Sequence, residues 1–580
     1  MEAYDKHDVV RKKLQSNINS LKLRVVFVFK VCMMTFAITY LVITDTTSYP
    51  RGVLPKARSS PTVTTMTTPQ PESNTKPGIG PAATKITSTK YNVVTNPEFS
   101  NYRLITPAEC ITKGSFIHVV IEARSESQQL VPSGGDFWFA TMSTNDPHQA
   151  STAGRVIDHE NGTYSVYFYA AWSGTATINI TLVHPNKAVE FMHDIFTETG
   201  PKIFWSATYK NMTTLSQLKK TNKFDTSCWI TRSNDTNRFC EYPSANGLGN
   251  YTFVCIPPKD RKCRSLDIIA VNASKTDAMT RKAATGYEDY FQSKYFNQRL
   301  TIGPQTIVIK DSSYRKPTSN KDEHNLKLPP SWSHRSHGYW FNYTWTSLLY
   351  TDNNWTNSSD MKECLRNKHM LLLGDSTSRQ WAQSIGTLLD LRQKAHRQEF
   401  PNFFFEDDYK ELNFSVSFRF HPQTVTTTRI PFKLFIYFAD ILDSIVTHEC
   451  ANLIIELSPW AHLAQWTWDS LTQRFIKLRE AVSRFRQRCP NVPIIIKGSH
   501  LREHLTTFAR WGRSDYLLYQ VGILMEQIFH RSGIWFLNVW DMNLSFPSRA
   551  NVHMPNIVVQ EELKLAIAHI CGQLRHGYQS

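Results

Sequence analysis

Leu-Leu-Leu-Gly-Asp-Ser-Thr-Ser-Arg-Gln-Trp, residues 371–381, is the most informative stretch of the chain. The apolar run predicts a buried strand that breaks at Gly374, and an amphipathic helix pattern follows it. Ser376 would then stand at the start of the helix, beside its own backbone N–H and the positive end of the helix dipole. A serine in this position is suited to attack an ester and to stabilise the resulting oxyanion, so the stretch predicts acyl-transfer chemistry.

A histidine and an aspartate near the C-terminus are candidate partners of this serine. His553 lies in Val-His-Met-Pro (552–555), shortly before the final helical pattern, and Asp541 precedes it by twelve residues. A histidine is the usual base for a serine nucleophile, and a carboxylate commonly orients the imidazole. The alternative for His553 is a loop histidine with a structural role. Asp375 adjoins the serine, but adjacent residues there point apart, so we predict that it caps the helix.

Apolar stretches alternate with helical patterns through residues 366–580, which predicts an α/β domain. Parallel strands joined by crossover helices are expected, in a three-layer arrangement. Reacting groups in such sheets collect at the carboxyl edge, where Ser376 and Asp541 both fall. The predicted strands are 369–373, 433–438, 452–457, 493–497 and 534–540.

Short alternating strands separated by turn residues fill residues 91–200. The clearest are 116–123, 162–170 and 174–180, and they predict an antiparallel β-sandwich. The turn at Asn161-Gly162-Thr163-Tyr164, followed by Gly174 and an alternating strand, resembles filamin-type immunoglobulin-like repeats. A cysteine-rich region (201–300) and a lead-in to the α/β domain (301–365) follow.

The first 90 residues predict a membrane anchor and a stem. Basic residues are frequent in 1–24, and 25–43 is an apolar run with one charge, Lys30. This pattern predicts a single transmembrane helix with a cytoplasmic N-terminus, a signal anchor; the alternative is a cleaved signal peptide. Residues 44–90 are rich in Ser, Thr and Pro and are typical of an extended stem.

Sequons and cysteines indicate that the part after residue 44 faces the secretory lumen. Four clustered cysteines (Cys228, Cys240, Cys255 and Cys263) lack the close pairs of a zinc site, which favours disulfides over metal, with three pairings open. No metal site is predicted. The odd number of cysteines after the predicted span leaves one thiol free or available for a partner chain. The candidate glycosylation sites are Asn161, Asn179, Asn211, Asn234, Asn250, Asn272, Asn342, Asn354, Asn357, Asn413 and Asn543.

Gly374-Asp375-Ser376-x-x-Arg379 resembles the first block of GDSL/SGNH esterases, in the version found in glycan O-acetyltransferases. From about residue 90 onward the chain resembles the neurexophilin and PC-esterase domain (NXPE) family. The resemblance implies Ser376 as nucleophile, His553 as base, and Arg379 with the Ser376 N–H near the acyl oxygen.

The chain departs from the pattern of these families at two points. Ala550 replaces the aspartate three positions before the histidine, which leaves Asp541 or a dyad using a backbone carbonyl. The segment Lys-Gly-Ser-His (497–500) lacks the usual oxyanion asparagine, for which His500 or Ser499 could substitute.

We therefore expect a single-pass type II Golgi membrane enzyme with a luminal catalytic domain, of which a secreted form is possible. The family resemblance implies that it would bind no cofactor and would transfer acetyl from acetyl-CoA to glycan hydroxyls, with sialic acid or a sialoglycoprotein as acceptor. The alternatives are a serine esterase of the same fold and a non-catalytic binding protein whose neurexophilin-like region holds a protein partner. A net charge of +16, spread along a luminal glycoprotein, favours anionic glycans over nucleic acid.

Overall fold

The computed structural model describes most of the chain after residue 92. The described residues are 93–145, 149–198, 200–209, 224–232, 238–257, 263–311, 337–348, 358–392, 394–504, 506–530, 532–548 and 551–576. The predicted tail, membrane span and stem (1–90) lie outside these ranges.

Strands occur in both halves of the described chain. In chain order they are β1 (Asn101–Leu104), β2 (Phe116–Glu122), β3 (Phe137–Thr144), β4 (Ala150–Ala153), β5 (Arg155–Asp158), β6 (Thr163–Tyr169), β7 (Gly174–His184), β8 (Trp205–Tyr209), β9 (Phe224–Arg232), β10 (Cys240–Pro243), β11 (Tyr251–Cys255), β12 (Leu266–Val271), β13 (Gln298–Arg299), β14 (Thr306–Ile309), β15 (Gly338–Phe341), β16 (Thr344–Ser347), β17 (His369–Gly374), β18 (Lys394–Phe400), β19 (Phe404–Tyr409), β20 (Phe414–Phe420), β21 (Ile430–Pro431), β22 (Leu453–Leu457), β23 (Ile494–Lys497) and β24 (Trp535–Leu537).

The longer helices lie in the C-terminal half. In chain order the α-helices are α1 (Asn186–Glu190), α2 (Ala245–Leu248), α3 (Ala273–Ala283), α4 (Ser358–Leu365), α5 (Ser376–Leu388), α6 (Phe438–Ser444), α7 (Trp468–Arg488), α8 (Thr507–Gly512), α9 (Asp515–Phe529), α10 (Trp540–Ser545) and α11 (Asn556–His576).

Two antiparallel sheets form the sandwich that the alternating pattern predicted. One has the strand order β1-β2-β6-β5, and the other has β13-β7-β3-β4-β15-β16, with β14 also paired to β7. The interior between them is apolar and includes Trp138 and Tyr164, whose ring centroids are 5.6 Å apart. Strands β13 to β16 come from beyond residue 290, so the sandwich extends past its predicted end at residue 200.

A third antiparallel sheet carries the clustered cysteines, in the order β10-β11-β9-β8-β12-β21. Disulfides join Cys228 to Cys255 and Cys240 to Cys263, which selects one of the three possible pairings. Two further disulfides join cysteines of the C-terminal half, Cys364 to Cys571 and Cys450 to Cys489. Cys110 is the free cysteine among the described residues.

The C-terminal sheet is mixed, with the order β18-β19-β20-β17-β22-β23-β24. Strands β20, β17, β22, β23 and β24 are parallel, and β18 and β19 form an antiparallel edge. Successive residues of β17 point to opposite faces: Met370 and Leu372 contact the core beneath α5 and α11, and Leu371 and Leu373 contact the core beneath α7 and α9. Three layers result, and the loops at the carboxyl ends of the parallel strands meet on one side.

The predicted fold class needs correction in three respects. The described part of the chain holds no helix long and apolar enough to cross a membrane, and the predicted span at 25–43 lies outside it. The C-terminal sheet is mixed, not parallel. The predicted domains also share sheets. Strand β21 pairs with β12, and β15 pairs with β4 of the sandwich. All described residues belong to one compact unit.

The predicted strand at 433–438 is also absent. A short 3-10 turn occupies Phe432–Leu434, and α6 begins at Phe438. The apolar residues of the predicted strand therefore lie in an irregular segment. Leu434 and Phe435 within it are only partly buried. An apolar run of this length fits a strand or a turn equally well.

The candidate glycosylation sites differ in how far the asparagine is exposed to solvent. Asn179 is 8% exposed within β7, and Asn543 is fully buried, where its amide donates to Val539 O and Glu562 Oε1. Neither amide can carry a glycan in the folded chain. Asn272 is half-buried and caps α3. Exposed sites are Asn161, Asn250, Asn342 and Asn413, and Asn211, Asn234, Asn354 and Asn357 lie outside the described residues.

Candidate active site

Ser376 is the first residue of α5, directly after the central strand β17. Asp375 caps the helix as predicted: its Oδ1 accepts a hydrogen bond from the Thr377 N–H at 2.8 Å. Its Oδ2 accepts one from the Ala461 N–H at 2.9 Å, which ties the turn to the loop after β22. Both carboxylate oxygens are thus used for structure, and Ser376 is held at the carboxyl edge of the sheet.

Glycine is required at position 374 because the first turn of α5 lies against the end of the strand. A Cβ on Gly374 would come 1.9 Å from Ser378 Oγ and 3.3 Å from Ser458 Cβ. The Ser378 hydroxyl occupies this space because it donates to the buried Glu456 Oε1 at 2.8 Å. The close approach fixes the height of Ser376 above the sheet.

His553 is brought to the same place by contacts between α5 and the segment before α11. Gln380 Nε2 donates to Met554 O at 2.9 Å, and Ser384 Oγ bonds to Asn556 Oδ1 at 2.8 Å. The His553 N–H donates to Asn551 Oδ1 at 2.8 Å. The helix that carries the serine therefore also fixes the loop that carries the histidine.

Ser376 and His553 line one cavity of about 240 Å³. The other lining residues are Val425, Ala461, His462, Ala464, Gln465, Arg502, Glu503, Arg513 and Val552. Among the contacts of the described residues, no hydrogen bond joins Ser376 Oγ to the His553 ring. Catalytic hydrogen bonds of this kind are often long before substrate binds.

The charges near His553 favour its neutral form. The residue is exposed at the cavity rim, and partial desolvation of its ring together with the positive charge of Arg379 lowers its pKa. Asp375 and Glu503 act in the opposite direction with smaller effect. A neutral imidazole can accept a proton, which is the state a general base needs.

Arg379 lies on the first turns of α5 and is partly buried. Its guanidinium donates to Asn402 O at 3.0 Å, and burial lowers its pKa. It acts on the site through its charge, as its effect on His553 shows.

Asp541 does not orient His553, which corrects the assignment made from the sequence. Its carboxylate is 2% exposed, accepts the His337 N–H at 2.8 Å and lies 3.4 Å from Arg155 Nε. Arg155 belongs to β5 of the sandwich, so Asp541 is committed to the junction between the sandwich and α10. Asp541 makes no contact with His553 among those of the described residues.

Glu503 is the acidic residue that the structure places beside the histidine. It follows β23, and its Oε2 accepts the Val552 N–H at 2.9 Å, next to His553 in the chain. Burial alone would raise the pKa of Glu503, but Arg502 and this N–H outweigh it and lower the pKa. The only sequence signal for Glu503 was its place after a predicted strand.

The predicted oxyanion substitutes do not line the cavity. Ser499 and His500 are 4% and 1% exposed, and the His500 Nδ1 bonds to Leu501 O at 2.9 Å. Burial lowers the pKa of His500 to about 4. The Ser376 N–H at the start of α5 remains the backbone donor at the site.

Arginines give the cavity a positive wall. Arg502 is 9% exposed, and Arg513 lines the same space. Burial, with Arg502 as a neighbour, lowers the pKa of Arg513 to about 10, so the Arg513 guanidinium stays charged at neutral pH. Such a wall favours an anionic ligand.

Fold and site together define a protein with an esterase-like α/β domain joined to antiparallel sheets, with Ser376 at the start of α5 and His553 shortly before α11. Residues 345–571 match the family model for the NXPE family member 4-like C-terminal domain, and residues 92–288 match the neurexophilin model. The chain belongs to the neurexophilin and PC-esterase domain family. Its C-terminal domain is related to esterase-like domains.

Proposed function

We propose that the protein is a serine-dependent acyltransferase that moves an acetyl group onto a glycan hydroxyl. The supporting observation is the shared cavity of Ser376 and His553 at the carboxyl edge of the sheet. Ser376 serves as nucleophile, His553 as general base, and Glu503 holds the histidine loop through the Val552 N–H.

The reaction has two steps. Ser376 Oγ bonds to the acetyl carbonyl carbon of acetyl-CoA while His553 accepts the hydroxyl proton, and the C–S bond breaks as the proton passes to the departing thiolate. The glycan hydroxyl then attacks the acetyl-serine and gives its proton to His553, which returns it to Ser376 Oγ. The Ser376 N–H stabilises the oxyanion in both steps, with the positive field of Arg379 nearby.

Sialic acid is the proposed acceptor. Its carboxylate suits the wall formed by Arg502 and Arg513. Four disulfides and exposed sequons support a secretory compartment, and we propose the Golgi lumen as the place of action. Hydrolysis of an acetylated glycan would use the same residues with water in place of the acceptor.

Mass spectrometry of sialic acids tests the proposal. Cells expressing the wild-type chain should gain O-acetyl groups, and cells expressing Ser376→Ala should not. Ser483→Ala is the matched control, because Ser483 is exposed on α7 and its hydroxyl donates to Arg479 O within the same helix. Gain of O-acetyl groups with the Ser376→Ala chain would refute the mechanism, and loss of acetyl groups with wild type would identify an esterase.

A further inference from the structure

A second cavity lies between the cysteine-bearing sheet and the loop that leads into α7. It has a volume of about 340 Å³ and is lined on one side by Trp205, Ile230 and Tyr251 and on the other by Trp466 and Ser470. Ligand pockets commonly have this size and combine aromatic walls with a few polar groups. We call this cavity the glycan cleft.

The rim of the glycan cleft carries ordered polar groups. Arg232 and the Tyr251 hydroxyl both donate to Asp469 Oδ2, at 2.5 and 2.7 Å. Lys202 is 2% exposed and donates to Gly200 O at 2.8 Å on the opposite side. These hydrogen bonds hold the polar side chains in place, so the rim of the glycan cleft has a defined shape.

Gln465 is the exception, because its amide has no partner. The side chain is 3% exposed, and neither Oε1 nor Nε2 makes a hydrogen bond among the described residues. An unpaired buried amide destabilises the free protein, because its lost hydrogen bonds to water are not replaced. An amide offers one acceptor and one double donor on adjacent atoms, which matches neighbouring hydroxyls that both donate and accept.

The same side chain lines both cavities. Gln465 is part of the wall of the glycan cleft and of the wall of the cavity with Ser376 and His553. A ligand beside Gln465 in the glycan cleft is therefore separated by one side chain from the cavity that holds the nucleophile. A chain of hydroxyl-bearing rings has the length and chemistry to reach from one cavity to the other.

We propose that the glycan cleft binds the sugar residues adjoining the one that is acylated, with Gln465 hydrogen-bonded to their hydroxyls. This inference rests on the proposed function, since it takes a glycan as the acceptor. The cysteine-bearing sheet then supplies part of the acceptor site, and activity on a free monosaccharide should be weaker than on an oligosaccharide.

The variant Gln465→Leu separates binding from folding. It removes an amide that has no protein partner, so the midpoint of thermal unfolding should stay unchanged or rise. The affinity of purified full-length protein for sialyllactose, measured by calorimetry, should fall at least tenfold. Gln573→Leu is the matched control, because Gln573 lies on α11 and lines neither cavity. Unchanged affinity in Gln465→Leu with a folded protein would overturn the inference.

A second variant, Thr231→Trp, fills the glycan cleft from β9 and should have the same effect on affinity. Both variants are combined with Ser376→Ala, so that binding is measured without turnover. Failure of the proposed function would appear separately, as a wild-type protein that binds sialyllactose but does not react with a fluorophosphonate serine probe. Probe labelling of the wild-type protein, together with weaker sugar binding in Gln465→Leu, would support both proposals.

Discussion

The loops after β23 and β24 leave the same edge of the C-terminal sheet, yet their acidic residues make contacts of different kinds. Glu503, after β23, lines an open cavity and bonds to the backbone beside His553. Asp541, after β24, is buried against Arg155 of the sandwich. One acid faces space that a substrate can enter, and the other faces protein.

The difference arises because the sandwich covers the β24 end of the edge. Trp340 Nε1 donates to Met542 O at 2.8 Å, and Ser151 Oγ donates to Ser545 O at 2.5 Å. Both donors come from the sandwich, so α10 is part of an interface. Position at the carboxyl edge is thus necessary for a catalytic residue but does not suffice when another part of the chain covers that position.

Asp541→Ala should have the largest effect, and the effect should be on stability. It removes the Asp541 carboxylate from beside Arg155, whose side chain is 7% exposed. Removing one member of a buried ion pair costs about 3–5 kcal/mol, so denaturant unfolding should begin at clearly lower concentration. The activity of the protein that remains folded should be unchanged.

Asp443→Ala provides the comparison for that variant. Asp443 pairs with Arg484 at 2.6 Å, but the two side chains are 25% and 40% exposed, so the loss should be about 1 kcal/mol or less. A fall in activity per folded molecule in Asp541→Ala would restore Asp541 to the site and contradict the contrast drawn above.

The sequence was sufficient for the strand and the helix that carry Ser376. The apolar run of β17 and the cap at Asp375 depend on residues close in the chain, and such patterns report local structure directly.

The remaining features depend on contacts between distant segments. Nothing near Asp541 in the sequence indicates that Arg155 of β5 binds it. The sequons at Asn179 and Asn543 have the required residues, but packing buries both. The disulfide pairing follows from how β9, β10 and β11 lie side by side, which the spacing of the cysteines leaves open.

Glu503→Gln should lower kcat/KM by about 10²-fold. The amide oxygen can still accept the Val552 N–H, so the loop stays in place, but the negative charge near His553 is lost. Hydrolysis of a small acetyl ester reports the effect, and Glu503→Asp should recover part of it. Glu363→Gln, an exposed change on α4 next to Arg366, is the control. A rate equal to wild type in Glu503→Gln would leave the histidine without an acidic partner and favour a serine–histidine dyad.

Arg379→Gln should give the smallest effect, a shift in the pH profile. Desolvation and the Arg379 charge both lower the pKa of His553, so its active neutral form persists below the ordinary value of about 6.5. Removing the charge weakens this effect, and the acid limb of kcat/KM should move to higher pH by less than about one unit. Arg419→Gln serves as control, since Arg419 lies on β20 and pairs with Glu399 at 3.2 Å. A shift to lower pH would mean that the group titrating in this limb is not His553, because loss of a nearby positive charge can only raise the pKa of an imidazole.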